Sequence, residues 1–281
     1  MKRKNHFLYL LSLPALLACE ELEIPPSNNF VVEAYITADE TVQDITIKET
    51  APLIADSIIT VPIDRAQVSL SRAGGTPLLL DYNPATGRYQ APEGMDLPIS
   101  SAEAYDLAVT LDGITATAST TVPEKPEALS LSDTIIRIPT LTLNFGLREQ
   151  IEELFNEARI TLNWEGEPGR SYFVVIGQRA STPASILPEG IPQQSLDLLS
   201  SFRFISEPSE ASSFVIIGVA LETYGPHIAK VYSVNQEYAD LFNSAAQDSR
   251  DLNEPPSNIS NGLGIFTAFA VDSIAFEVIR E

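Results

Sequence analysis

Few residues in this chain combine a reactive type with a telling position. Cys19 is the only cysteine, and His227 is one of two histidines. Ahead of Cys19 stand Lys2, Arg3 and Lys4, then an apolar run from Phe7 to Ala18 that ends in a small residue. That is the layout of an export signal, and its apolar core is too short to be read first as a spanning helix. Cys19 is the first residue after such a signal, where its thiol is either a free reactive group or a site of modification. As the only cysteine, Cys19 forms no disulfide within one molecule.

Other chemistries find less footing. Ser-His-acid catalysis needs an imidazole near neutral pKa. His6 lies in the signal, which leaves His227 beside Pro226 at the start of an extended stretch, where it reads as structural or solvated. No serine sits in a G-x-S-x-G elbow. Metal sites built on histidine or cysteine are excluded by count once Cys19 is acylated. Carboxylates are plentiful, so a glycosidase-like pair stays open. Glu152-Glu153 and Asp248/Asp251 nevertheless read as helix-surface and helix-end charges. Asn261-Gly262-Leu263-Gly264 lacks the lysine and the preceding strand of a phosphate loop. It reads as a tight turn, with Asn261 and Gly262 expected at positive φ. The expectation is therefore no enzyme: no catalytic residue, no cofactor site and no metal site, with Cys19 as the one modified position.

Charge points the same way. The chain carries 17 Lys and Arg against 38 Asp and Glu, a net charge of −21, and loss of the signal makes it −24. Such a surface repels phosphate backbones and anionic headgroups, so nucleic acid and charge-driven membrane binding are poor partners. It suits divalent cations or basic protein surfaces, and it suits plain solubility.

The elements that would carry these residues are short and mostly extended. Removal of residues 1–18 leaves 19–281, enough for one large or two ordinary domains. Residues 19–29, with Pro25 and Pro26, read as a tether, of which Glu20–Asn29 reaches about 33 Å when fully extended. Strand-length runs follow at Phe30–Thr37, Val42–Glu49, Ala66–Arg72, Pro77–Tyr82 and Arg88–Gln90. Ala104–Leu111 and Ile114–Thr121 are joined by Asp112-Gly113, the strongest hairpin signal in the chain. These predict an N-terminal β-sandwich over 30–123, and Pro123–Pro126 reads as a linker.

A β-rich domain with helical insertions is expected over 128–281. Helical spacing marks Leu147–Ala158 and, less regularly, Gln236–Ser249. Arg159–Glu165 and Ser171–Gly177 read as a hairpin of immunoglobulin or fibronectin type, with Trp164 in the core. A sugar-stacking Trp164 is the sharper alternative. Gln178–Ser213 is a long excursion with four prolines and one helical turn near Ser195–Phe202, and loops of that length are usually functional or disordered. Strands resume at Ser213–Thr223 and Ile228–Asn235, and Gly264–Val271 and Ser273–Ile279 close the chain as two strands. The fold class is mainly β: two tandem β-sandwiches, the second with one or two short helices.

Leu16-Leu17-Ala18-Cys19 resembles the bacterial lipobox, in which the cysteine is acylated before the signal is removed. The acids at Glu20, Glu21 and Glu23 resemble the tags that export lipoproteins of Bacteroidota to the outer face of the outer membrane. Together with FVVEAYIT, VQDITIKETAPL, GRYQAP, AYDLAVTLDGITATASTTVP and the terminal PPSNISNGLGIFTAF, they resemble the domain-of-unknown-function 4249 family of Bacteroidota lipoproteins across about residues 19–281.

That resemblance implies a palmitate-bearing outer-membrane lipoprotein exposed at the cell surface, anchored through acylated Cys19. It also implies a non-enzymatic binding or accessory component associated with a TonB-dependent receptor, and it transfers no catalytic residue. A structural or adhesive surface protein is the first alternative. A carboxylate-based glycan hydrolase is the second. Contacts are expected on the long excursion and on the polar tract Asp248–Asn261, because binding residues concentrate on loops held by rigid scaffolds.

Overall fold

The computed structural model describes residues 30–41, 43–49, 62–142, 147–188, 190, 205–245 and 256–281. The signal, Cys19, the tether, the expected turn at Ser195–Phe202 and the pair Asp248/Asp251 lie outside the described residues.

The chain is mainly β. Strand β1 (Phe30–Thr37) buries Phe30, Val32, Ala34 and Ile36 on one face, as its alternating pattern requires. It pairs antiparallel with β2 (Asp44–Glu49). Facing them is a sheet of β3 (Gln67–Arg72), β4 (Leu78–Asn83), β5 (Arg88–Gln90), β6 (Ala104–Leu111) and β7 (Ile114–Thr121), in the order β5-β4-β3-β6-β7. The β6–β7 hairpin turns at Asp112 and Gly113, with φ of 50° and 85°, the double positive φ of a type I′ turn. Val68, Leu70, Tyr105, Leu107 and Val109 from this sheet meet the β1 and β2 side chains in one core.

The second sandwich packs β8 (Glu127–Leu131), β10 (Arg159–Glu165) and β12 (Ser213–Ile217), ordered β12-β10-β8, against β9 (Ile135–Ile138), β11 (Ser171–Gln178), β13 (Gly225–Val234) and the last strand, β14 (Leu263–Arg280). Its core holds Ile160, Leu162 and Trp164 from one sheet and Tyr172, Val174, Ala229, Val231, Phe276 and Val278 from the other. Helix α1 (Leu147–Asn156) adds Leu154, and Ala158 just past its end is also buried. Helix α2 (Gln236–Ala245) follows β13 directly.

Three expectations change. The closing pair of strands is one strand of 18 residues. Asp272, left between the two expected strands, and Ser273, the expected start of the second, both pair with β13, opposite Val231 and Lys230, and both are exposed. On the even-numbered face of β14, Phe266, Ala268 and Ala270 enter the first core and Phe276 and Val278 the second. The polar pair marks where the strand leaves one core for the next.

Consequently the division at 123/128 does not follow the sheets. Val31–Thr37 pair in parallel with Leu263–Phe269, so the N-terminal sandwich is completed by the C-terminal strand. Finally, β10 and β11 form no hairpin. They belong to opposite sheets, and Trp164 and Tyr172 meet across the core with ring centroids 5.8 Å apart.

Candidate binding cleft

The segment Asn258–Gly264 explains the motif at the start of β14. Asn258 acts as a substitute strand partner: its Nδ2 donates to the Phe266 carbonyl at 2.7 Å, and its Oδ1 accepts from the Phe266 N–H at 2.8 Å. Ile259 is buried in the first core, and Ser260 exchanges two backbone bonds with Thr117 of β7. Positive φ falls at Asn261 (59°) and Gly264 (114°), not at Gly262 as expected. Gly262 is small for another reason, since a Cβ there would lie 3.1 Å from both Ala116 Cβ and Ile259 Cγ2. At Gly264 a Cβ would fall 2.0 Å from the Val32 carbonyl oxygen. The motif is a clasp that shuts the mouth of the first sandwich, and it presents no reactive group.

The second sandwich has a comparable crossing, and it leaves a space. Residues 205–209 run along the outer edge of β11, with the Tyr172 N–H donating to Ser209 O at 2.7 Å and the Ser206 N–H to Val174 O at 2.9 Å. The chain then crosses to β12, where the Trp164 N–H donates to Ser212 O. Beneath this crossing lies a cleft of about 620 Å³, lined by the core rings of Trp164 and Tyr172, by Val174, Phe214 and Phe242, and by Ile205, Ser206, Glu207, Ser209 and Ser213 at the rim. Ile205 is 55% exposed. Among the described residues Glu207 is the only charged one in this lining, and these residues offer apolar surface, hydroxyls and one carboxylate.

Helix α2, which carries Phe242, also packs into a separate aromatic cluster through Tyr238. On the outer face of the large sheet, Tyr35 of β1, Phe269 of β14, Tyr232 of β13 and Phe173 of β11 form a row of rings capped by Tyr238 of α2. Phe173 stacks on Tyr232 with centroids 4.7 Å apart, and Tyr238 stands edge-on to Phe269 at 5.0 Å. Each such pair adds roughly 0.5–1.5 kcal/mol beyond area burial. Burial, reinforced by Glu33, Tyr238 and Asp44, pushes the Tyr35 phenol up to about 12, and burial raises Tyr238 as well. These phenols stay protonated at any physiological pH. Tyr238 and Phe242 are four residues apart on α2 and so share a face of that helix.

Trp164 is 6% exposed, belongs to the core of the second sandwich and lines the cleft. Among the described residues its Nε1–H has no hydrogen-bond partner. His227 is 2% exposed, with Nδ1 2.9 Å from the Gly225 carbonyl oxygen and the ring 5.3 Å from that of Phe276. Burial lowers its pKa, against smaller raising effects of the Gly225 bond and Glu277, so it is held as a neutral core residue. Among the described residues, no three His, Cys, Asp or Glu side chains come together as a metal cluster. A second concavity, about 270 Å³ beside β9 and α1, mixes Arg137 and Arg159 with Asp133, Glu157 and Glu281.

The sequence pointed toward the excursion, and residues 205–213 of it do line the cleft. It did not single out Phe214, Phe242 or Ile205. Ile205 and Phe214 carried only the signal of apolar side chains in or beside the proline-rich stretch, and Phe242 only its place in the expected helix Gln236–Ser249.

A family model described as a domain of unknown function (DUF4249) matches residues 20–275. No curated protein is similar to the chain. Among solved structures, the FN1–FN3 domains of chicken CNTN1 match at 11% identity with a TM-score of 0.23; the match covers 88% of this chain and 66% of that one.

Proposed function

Because the chain belongs to the DUF4249 family, whose description assigns no activity, we propose that it is a lipid-anchored outer-membrane protein. In this reading it is displayed at the cell surface and acts as a non-enzymatic binding or accessory component of a TonB-dependent receptor. The anchor rests on the basic, apolar and small-residue order that ends at Cys19. Several acyl chains on that sulfur would hold the protein stably, where one chain would bind a membrane only marginally. The observation that carries the binding role is the cleft of about 620 Å³ under the 205–213 crossing, within the size range of small-ligand and side-chain pockets.

The test has two arms. Cells expressing the full-length protein are labelled with palmitate and fractionated; label and membrane association are expected for the native chain and lost for Cys19→Ser. The tagged native protein, recovered from solubilised outer membranes, is expected to bring down a receptor-type barrel. Label that persists in Cys19→Ser sinks the anchor, and recovery without any barrel sinks the receptor role.

A further inference from the structure

The edge of β12 that faces away from β10 lies beside the cleft. In the β10–β12 ladder the hydrogen-bonded pairs include Trp164 with Ser212 and Ala158 with Gly218. Antiparallel alternation therefore turns the N–H and C=O groups of Ser213, Val215 and Ile217 away from β10. Among the described residues no strand pairs with that edge. β11, the opposing edge strand, is instead covered by residues 205–209. Val215 is 46% exposed on this strand. An uncovered apolar edge is a liability that folded proteins usually blunt with charge, proline or a covering segment. The five residues Ser213–Ile217 carry no charge and no proline.

We propose that this edge is a docking site for an extended, non-acidic segment of a partner protein. The segment pairs antiparallel with β12 as a fourth strand of its sheet and places one aromatic or large aliphatic side chain in the neighbouring cleft. Main-chain bonds give such a complex its affinity, and the pocket for alternate side chains gives its specificity. Charge selects the occupant. Glu207 stands in the cleft lining, Glu210 and Glu222 lie on either side of the strand in sequence, and the whole chain carries −21. A second copy of this chain would add like charge, whereas a neutral or basic segment meets the carboxylate. The proposal rests on the binding role argued above and names the chemistry of its partner.

Two fluorescent nine-residue peptides test it. Both alternate Val and Thr around a central Phe; one is flanked by Lys at each end, the other by Glu. Titrated against the full-length protein in detergent, the Lys-ended peptide is expected to bind about ten-fold more tightly and to slow amide exchange at Ser213, Val215 and Ile217. Val215→Pro removes the central edge N–H, which the β10 ladder does not use, so the strand tolerates it while binding is lost. Glu207→Gln leaves the edge intact and shrinks the preference for Lys ends to about two-fold. Equal binding of the two peptides, no binding of either, or binding that survives Val215→Pro overturns the proposal. If Val215→Pro still recovers a barrel from outer membranes, the receptor role stands and its contacts lie elsewhere.

Discussion

In the N-terminal sandwich, the segment that crosses between the sheets seats Ile259 in the core and ties Asn258 to β14 and Ser260 to β7. In the C-terminal sandwich, the crossing at 205–213 ties to β11 and then leaves a cleft and an edge of β12 that no strand pairs among the described residues. Both solve the same problem, which is to close the open side of two packed sheets. One solution uses a polar clasp around a buried isoleucine and yields a shut core. The other holds Ser206 and Ser209 against β11, exposes Ile205 and leaves room for a guest. The contrast separates the part of this protein that is scaffold from the part that offers surface, although both hang on one strand.

That shared strand gives the strongest way to break the comparison. Gly264→Ala forces a Cβ into the Val32 carbonyl at a position with φ of 114°. The expected cost is at least about 3 kcal/mol, from strain and from displacement of β14 beside β1. If β14 makes the sandwiches one cooperative unit, thermal unfolding of the variant stays a single transition at lower temperature. A split into two transitions, with one unmoved, shows that the clasped half folds separately from the open one.

A smaller effect is expected at the bond between the halves. Asn235, 9% exposed at the end of β13, donates to Thr120 Oγ1 at 3.0 Å and to the Thr121 carbonyl at 2.8 Å, and accepts from Arg170 Nη1 at 3.3 Å. Asn235→Ala leaves the nearly buried Thr120 hydroxyl without this donor and should lower stability by about 2 kcal/mol. Denaturant unfolding read separately by Trp164 fluorescence and by exchange of β6–β7 amides checks it. Both probes are expected to shift together. A shift in only one means that the bond serves a single sandwich.

How much of this was visible beforehand follows the range of each interaction. The β6–β7 hairpin was legible because Asp112-Gly113 demands its own turn, and Trp164 was legible as core because it alternates with Ile160 and Leu162. The parallel pairing of Val31–Thr37 with Leu263–Phe269 was not, because nothing local records a partner more than two hundred residues away. Asp272 misled for a physical reason, since a polar residue between two cores looks like a break between two strands. The cleft draws on residues from 164 to 242, each ordinary in its own stretch, and only the fold brings them together.

The smallest expected effect concerns the open half alone and depends on pH. His227 packs on Phe276, and its pKa is lowered by burial, so the folded state prefers the neutral ring. The unfolded chain takes up a proton near the ordinary value of about 6.5, while the folded chain resists until the pH falls further. In that window the unfolded state binds more protons, so stability must fall as pH falls, by up to about 1.4 kcal/mol per pH unit. Above pH 7 both states are neutral and the effect vanishes. His227→Phe is expected to flatten stability between pH 7 and the lower folded-state pKa, relative to the native chain. A native-like slope in that variant would assign the dependence to carboxylates instead. If the slope appears in β6–β7 amide exchange as well as in Trp164 fluorescence, the proton taken up in the open sandwich is felt through β14 in the closed one.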